Sequence, residues 1–145
     1  MKVLLIGAGA MGGAILRGCL DHQVWKKEDV LIKGRTAESS RRDAAAYGVS
    51  WSEDGHEAGE VDMVIVAVKP GVVPQVLKEI APYHPARVLS IAAAVTISSL
   101  EGALPEGTEV IRVMPNTPAS VGEGMTAIAP GTRASSEFIH DAQII

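Results

Sequence analysis

Lys2-Val3-Leu4-Leu5-Ile6-Gly7-Ala8-Gly9-Ala10-Met11-Gly12 stands at the head of this chain. Two signals meet in it. Lys2 to Ile6 is a short apolar, β-branched run that reads as a buried strand. Gly7 to Gly12 is G-x-G-x-x-G, and Ala14-Ile15-Leu16 after it continues as a helix. A glycine triplet between a strand and a helix is where a dinucleotide site needs one. Gly7 permits the tight turn. Gly9 lets a pyrophosphate approach the backbone. Gly12 lets the helix pack close to the strand. The free amides of Ala10, Met11 and Gly12 then face the phosphates, with the positive end of the helix dipole behind them. Gly7, Ala8, Gly9, Ala10, Met11 and Gly12 are therefore read as cofactor-binding. The competing reading is a glycine-rich turn with no ligand.

The bulk numbers bound the rest. The 145 residues suit one domain. They are 47% hydrophobic but only 3% aromatic, so the core is Val, Ile, Leu and Ala. That composition suits a parallel sheet covered on both faces. A net charge of -4 gives no footprint for nucleic acid or an anionic membrane. The single cysteine, Cys19, has no partner within the chain, which points to a reducing compartment. It is read as a small buried hydrophobe. His22, His56, His84 and His140 are scattered, lack metal-ligand spacing, and are read as surface residues. No metal is expected. No apolar run is long enough to span a bilayer, and the first apolar segment is taken as a strand rather than a signal peptide. The expected location is the cytoplasm.

Along the chain, strands and helices alternate. Strands are expected at Val3–Ile6, Asp29–Lys33, Val49–Trp51, Met63–Val68, Arg87–Ile91, Glu109–Met114 and Met125–Ala129. Helices are expected at Met11–Leu20, Ala37–Tyr47, Pro74–Ile80 and Ile97–Ala103. Ser135 and Ser136 are each suited to cap a last helix. The order βαβαβ, then βαβαβ, is the α/β signature of a Rossmann-like doubly wound, mostly parallel sheet with helices on both faces. Glu137 to Ile145 reads as a helix still in progress, with no stop signal. The expectation is a chain cut short, either an isolated domain or one missing a second.

In this fold an acidic residue after strand two selects NAD by holding the adenine ribose. The corresponding stretch is Lys33-Gly34-Arg35-Thr36, with no carboxylate. A guanidinium and a hydroxyl suit a ribose 2′-phosphate, so Arg35 and Thr36 join the cofactor-binding set. NADP(H) is preferred and NAD(H) remains possible. The competing reading makes Arg35 a solvated loop charge. Arg41 and Arg42 are read as a solvated helix face.

Three further segments narrow the fold to a family. Ala67-Val68-Lys69-Pro70 follows the fourth strand. Ser90-Ile91-Ala92-Ala93-Ala94-Val95-Thr96-Ile97 follows the fifth. Arg112-Val113-Met114-Pro115-Asn116-Thr117-Pro118 follows the sixth, with Val121-Gly122-Glu123-Gly124 soon after. With the glycine loop, these closely resemble the N-terminal dinucleotide-binding domain of pyrroline-5-carboxylate reductase, over essentially the whole chain. The resemblance implies that Ala67, Val68, Lys69 and Pro70 line the adenosine and ribose side. It implies that Ile91, Ala92 and Ala93 pass beneath the nicotinamide. Asn116, with Ala93, would edge the substrate pocket. Each has a plainer reading: Lys69 as a polar strand end, Asn116 as a turn residue, Ala92 to Ala94 as tight packing.

The chain departs from the family in three places. Ala94 stands where a glycine is common. Asp54 stands where an asparagine often helps bind cofactor; a carboxylate there accepts from a ribose hydroxyl but repels a phosphate. The family's C-terminal helical domain, which makes the dimer and supplies substrate-binding hydroxyls, has no counterpart. The implied reaction is NAD(P)H-dependent reduction of L-1-pyrroline-5-carboxylate to L-proline, the last step of proline synthesis, with this chain as the cofactor-binding half of a homo-oligomer acting on a small molecule. The 145 residues offer no nucleophile-base pair and no convincing general acid, so no catalytic residue is assigned. Alternatives are a related NADP-dependent imine, hydroxy-acid or F420 reductase, or a non-catalytic NADP-binding relative.

Overall fold

The computed structural model describes residues 1–92, 95–115, 125–132 and 134–144. Seven strands form one sheet: β1 (Val3–Ile6), β2 (Val30–Lys33), β3 (Ser50–Trp51), β4 (Met63–Val66), β5 (Arg87–Ser90), β6 (Glu109–Pro115) and β7 (Met125–Pro130). Their spatial order is β3-β2-β1-β4-β5-β6-β7. The first six are parallel, and β7 runs antiparallel against β6. Among the described residues α-helices run at α1 (Ala10–Asp21), α2 (Ala37–Tyr47), α3 (Val73–Ile80) and α4 (Ile97–Ala103) between strands, and at α5 (Ser136–Ile144) after β7. The doubly wound α/β fold expected from the sequence is the fold observed.

The apolar runs explain the layering. Side chains of a strand alternate between faces, so a strand covered on both sides must be apolar throughout. In β1, Val3 and Leu5 pack with Leu16 and Cys19 of α1 and with Phe138 and Ala142 of α5. Leu4 and Ile6 pack on the other face with Val73, Val76, Leu77 and Ile80 of α3 and Leu100 of α4. All four β1 residues are at most 3% exposed. β4 repeats the pattern through Met63 and Ile65 on one side and Val64 and Val66 on the other. Burying each such side chain contributes about 1.5–3 kcal/mol. Cys19, 4% exposed, belongs to this core, and burial pushes its thiol up to about 12. Among the described residues no helix is long and apolar enough to cross a membrane.

Helix ends follow local chemistry. Thr36 caps α2: its hydroxyl accepts from the Ser39 amide at 3.0 Å while the Ser39 hydroxyl accepts from the Thr36 amide at 3.0 Å. Gly48, at φ 73, closes the other end. Of the two serines suited to cap the last helix, Ser135 does so, its hydroxyl accepting from the Phe138 amide at 3.1 Å.

Two strands stop earlier than expected. β4 ends at Val66 rather than Val68, and β5 at Ser90 rather than Ile91. One last ladder bond is made at each exit, from Ala67 N to Ile6 O at 2.8 Å and from Ile91 N to Val66 O at 3.1 Å. At the β4 exit both neighbours, β1 and β5, end level with Val66, whereas β6 runs on to Pro115 past the last β5 pair at Ser90, so the residues after β5 leave the ladder while that neighbour continues. These residues line the carboxyl edge instead.

Candidate functional site

The glycine loop leaves β1 at the carboxyl edge of the sheet. Gly7 has φ +92, a conformation that L side chains rarely adopt, and a Cβ there would lie 2.7 Å from the Ala67 carbonyl oxygen and 2.9 Å from Val68 Cγ1. A Cβ on Gly12 would collide with the Gly7 carbonyl oxygen and stand 3.0 Å from Ala67 Cβ. Both glycines therefore allow α1, β1 and the segment after β4 to close on one another. Gly9 differs: a Cβ there would meet nothing within 4 Å. The glycine with open space before it is the one expected to face a ligand.

The start of α1 is correspondingly bare. Gly9 is its N-cap, with no side-chain cap hydrogen bond and no acidic residue in the first turn. Gly13 N is bonded to Gly9 O at 2.7 Å, so the ladder starts only after Ala10, Met11 and Gly12. α2, by contrast, is capped twice over by Thr36 and Ser39. An uncapped helix start at the carboxyl edge of a parallel sheet is an anion cradle. The residues present thus fit a dinucleotide pyrophosphate by backbone amides, open space at Gly9, and absence of competing carboxylates in that turn.

The other expected residues gather around this loop. Ala67 and Val68 are half-buried and pack on Gly7, whereas Lys69 and Pro70 are exposed at the start of a short turn at Pro70–Val72. Ile91 and Ala92 are 6% and 4% exposed and follow β5. Strand order reverses between β1 and β4, so the loops after these two strands flank the switch point where such sheets bind ligands. Ala93, Ala94, Asn116 and the Val121–Gly124 segment lie outside the described residues.

At the end of β2, Arg35 is exposed and Thr36 spends its hydroxyl on the α2 cap. The buried Ser40 also shapes this turn: its Oγ accepts from the Gly34 amide at 2.7 Å and donates to the Thr36 carbonyl at 2.8 Å. Sequence reasoning missed both serines as builders of the turn, although T-x-x-S at a helix start is the signal that finds Ser39. Lys33 is not available to a phosphate in the same way, because its ammonium pairs with Glu79 of α3 at 3.5 Å. Arg41 lies over the Trp51 ring, 5.7 Å from its centroid, and Arg42 pairs with Asp43 at 3.5 Å.

Next to this turn, the loop after β3 concentrates charge. Asp54 Oδ1 accepts from the His56 amide at 3.0 Å and lies 2.6 Å from His56 Nδ1, which is also 3.4 Å from Glu57 Oε1. The backbone and side-chain hydrogen bonds from His56 hold the Asp54 carboxyl below its usual range. The hydrogen bond to Asp54 raises His56, assisted by the Glu57 charge. Ser52, fully buried, fastens the loop by bonding Glu57 Oε1 and accepting from the Gly55 amide at 2.9 Å.

These features together define a Rossmann-type α/β domain whose α1 begins uncapped at the carboxyl edge of the sheet. Residues 2–95 match the family model described as NADP oxidoreductase, coenzyme F420-dependent, and the chain belongs to that family. It is 35% identical over 147 residues to pyrroline-5-carboxylate reductase 3 of Mus musculus, covering 99% of this chain and 52% of that one. It is 36% identical over 149 residues to pyrroline-5-carboxylate reductase of Escherichia coli, covering 97% and 53%. The solved structure of Plasmodium falciparum pyrroline carboxylate reductase with NADP bound superposes with a TM-score of 0.82 at 27% identity, over 98% of this chain and 52% of that one. The chain thus spans about half the length of the curated relatives it matches.

Proposed function

We propose that this chain is the dinucleotide-binding half of an NAD(P)H-dependent reductase that converts L-1-pyrroline-5-carboxylate to L-proline. The observation that carries the reading is the likeness to pyrroline-5-carboxylate reductases across nearly the whole chain. The uncapped start of α1 beside the open Gly9 supports it physically. In this reading residues 1–145 are one NADP-binding domain. Substrate-binding hydroxyls and the contacts of a homo-oligomer belong to a helical domain outside these residues. The whole protein acts in the cytoplasm on a small molecule, with no part for nucleic acid or membrane.

The reduced nicotinamide supplies a hydride when the cofactor is bound. The chain's own residues hold and orient. The amides of Ala10, Met11 and Gly12 bind the pyrophosphate. Ala67 to Pro70 wall the adenosine side, and Ile91, Ala92 and Ala93 form a small-residue floor under the nicotinamide. Asn116 edges the substrate. Arg35 places a fixed positive charge beside the ribose 2′ position, which supports NADP(H) over NAD(H). No side chain is assigned a proton-transfer role.

Calorimetric titration with NADPH and with NADH, each followed by pyrroline-5-carboxylate and absorbance at the reduced-nicotinamide band, tests the reading. Tighter binding of NADPH with slow or absent oxidation is expected of a cofactor half. Failure to bind either nucleotide would remove it. The family description favours one second reading, an NADP-dependent F420 reductase. Oxidation of NADPH by F420 but not by the imine, using the whole protein, would select that reading instead.

A further inference from the structure

β2 and β3 are neighbours, with Ile32 beside Trp51. Residues that follow them leave the sheet roughly one strand spacing apart, about 5 Å. Gly34 and Arg35 follow β2, and Ser52 to His56 follow β3. Two contacts tie the segments together. Ser52 N donates to Ile32 O at 2.8 Å. Gly55, at φ +80, stands against the Lys33 stem, where a Cβ would lie 3.1 Å from Lys33 Cδ. The exposed Asp54–His56 pair therefore follows the strand next to the one that leads into Arg35, at the same end of the sheet.

We propose that Asp54 and His56 form a protonation-dependent gate on the ribose 2′ substituent of the bound dinucleotide. The gate rests on the dinucleotide reading above. With the imidazole charged, the pair is neutral overall and the field of Arg35 favours a 2′-phosphate. With the imidazole neutral, Asp54 is an uncompensated anion at that end of the sheet. It repels a 2′-phosphate and still accepts from a free 2′-hydroxyl. Preference for NADPH over NADH then falls as pH rises.

The surrounding charges do not replace His56 in this role. Glu53, Glu57 and Glu60 share its loop and the turn after it. Lys33 of β2 is tied to Glu79 of α3. Arg35 and Arg41 come from the turn and helix that follow β2. Among these groups histidine is the one whose charge changes between pH 5 and 8. The 2′-phosphate also gains charge near pH 6, but that step is the same against every variant.

The test is calorimetric affinity of this chain for NADPH and NADH from pH 5.5 to 8.5, in the unaltered protein, Asp54→Asn and His56→Gln. Both side chains are exposed, and circular dichroism confirms that the variants fold. In the unaltered protein the NADPH:NADH affinity ratio should fall about three- to tenfold more across that range than in either variant. Asp54→Asn should hold the ratio high at pH 8.5. His56→Gln should hold it low at pH 5.5. Parallel profiles in all three proteins, with both nucleotides binding, would overturn the gate alone. No binding of either nucleotide would overturn the dinucleotide reading and the gate with it.

Discussion

Gly7 and Ala67 lie so close that a single carbon between them has no room: a Cβ on Gly7 would stand 2.7 Å from the Ala67 carbonyl oxygen. Both the obstacle and the φ of +92 belong to the backbone, so no rotamer change relieves them. Gly7→Ala should therefore cost about 3 kcal/mol of stability, from strain and overpacking together. A denaturant melt that leaves the midpoint unchanged would show that the β1–β4 closure is looser than this. Gly12→Ala should behave likewise, because its added carbon meets the Gly7 carbonyl. Gly13→Ala should cost less, because its obstacle is the Tyr47 hydroxyl, the far end of a side chain that can shift.

Gly9→Ala separates folding from binding. Gly9 has φ -74, and its added carbon enters empty space, so the melting midpoint should stay within about 0.5 kcal/mol of the unaltered protein. The same carbon occupies the approach to the α1 amides. Affinity for NADPH should fall about tenfold or more, measured by calorimetry. Equal affinity with an intact fold would place the pyrophosphate elsewhere.

Much of this site was legible because its parts are local. The glycine spacing, the apolar strand and the missing acid after β2 can be read within a few residues of one another, and α2 and α4 begin and end where their caps and periodicity place them. What was not legible is what depends on a neighbour brought up by the fold. Thr36 looked available to a phosphate, and its use by Ser39 is an exception, a local T-x-x-S signal that the reading of the sequence passed over. Lys33 looked like part of the ribose stretch, but Glu79 from α3 claims it. Asp54 stood out in the sequence, but its pairing with His56 on the loop beside the end of β2 did not. Strand ends were overextended at Val68 and Ile91 because apolar character reports burial, whereas a strand is set by its ladder of hydrogen bonds.

Arg35→Ala should discriminate between the two cofactors. Arg35 is exposed, so its loss should leave stability unchanged within about 0.5 kcal/mol. NADPH affinity should fall about tenfold, since a guanidinium–phosphate contact is lost, while NADH affinity moves less than about twofold. The NADPH effect should shrink as salt is raised from low to physiological strength, because an exposed charge pair is screened. Equal losses for both nucleotides would mean that Arg35 supports the loop rather than the 2′ substituent.

Arg87 fastens α5 to the sheet. Its guanidinium reaches Asp141 at 3.1 Å, Glu137 at 3.5 Å and Glu109 at 3.6 Å, and lies over Phe138, 5.5 Å from the ring centroid. Burial pushes the Glu109 carboxyl up, but hydrogen bonding from Ser135 and the Arg87 charge outweigh it and leave it below its ordinary value. A carboxyl held low in the folded state adds stability that is fully present above its unfolded value and is lost as pH falls through its folded one. The loss contributed by Glu109 should therefore begin as pH drops below about 4.5, the ordinary value of the group, and continue to lower pH. Glu109→Gln should lower stability near pH 7 and flatten this acid limb, measured by denaturant melts from pH 3 to 7. Arg87→Met, which keeps the stem but leaves Glu109 and Asp141 half-buried without their cation, should cost about 2–4 kcal/mol at pH 7 and less as pH falls toward 3 and the benefit of the Glu109 charge is lost. A cost for Arg87→Met that is independent of pH would mean that its packing on Phe138, rather than the ion pairs, holds α5 in place.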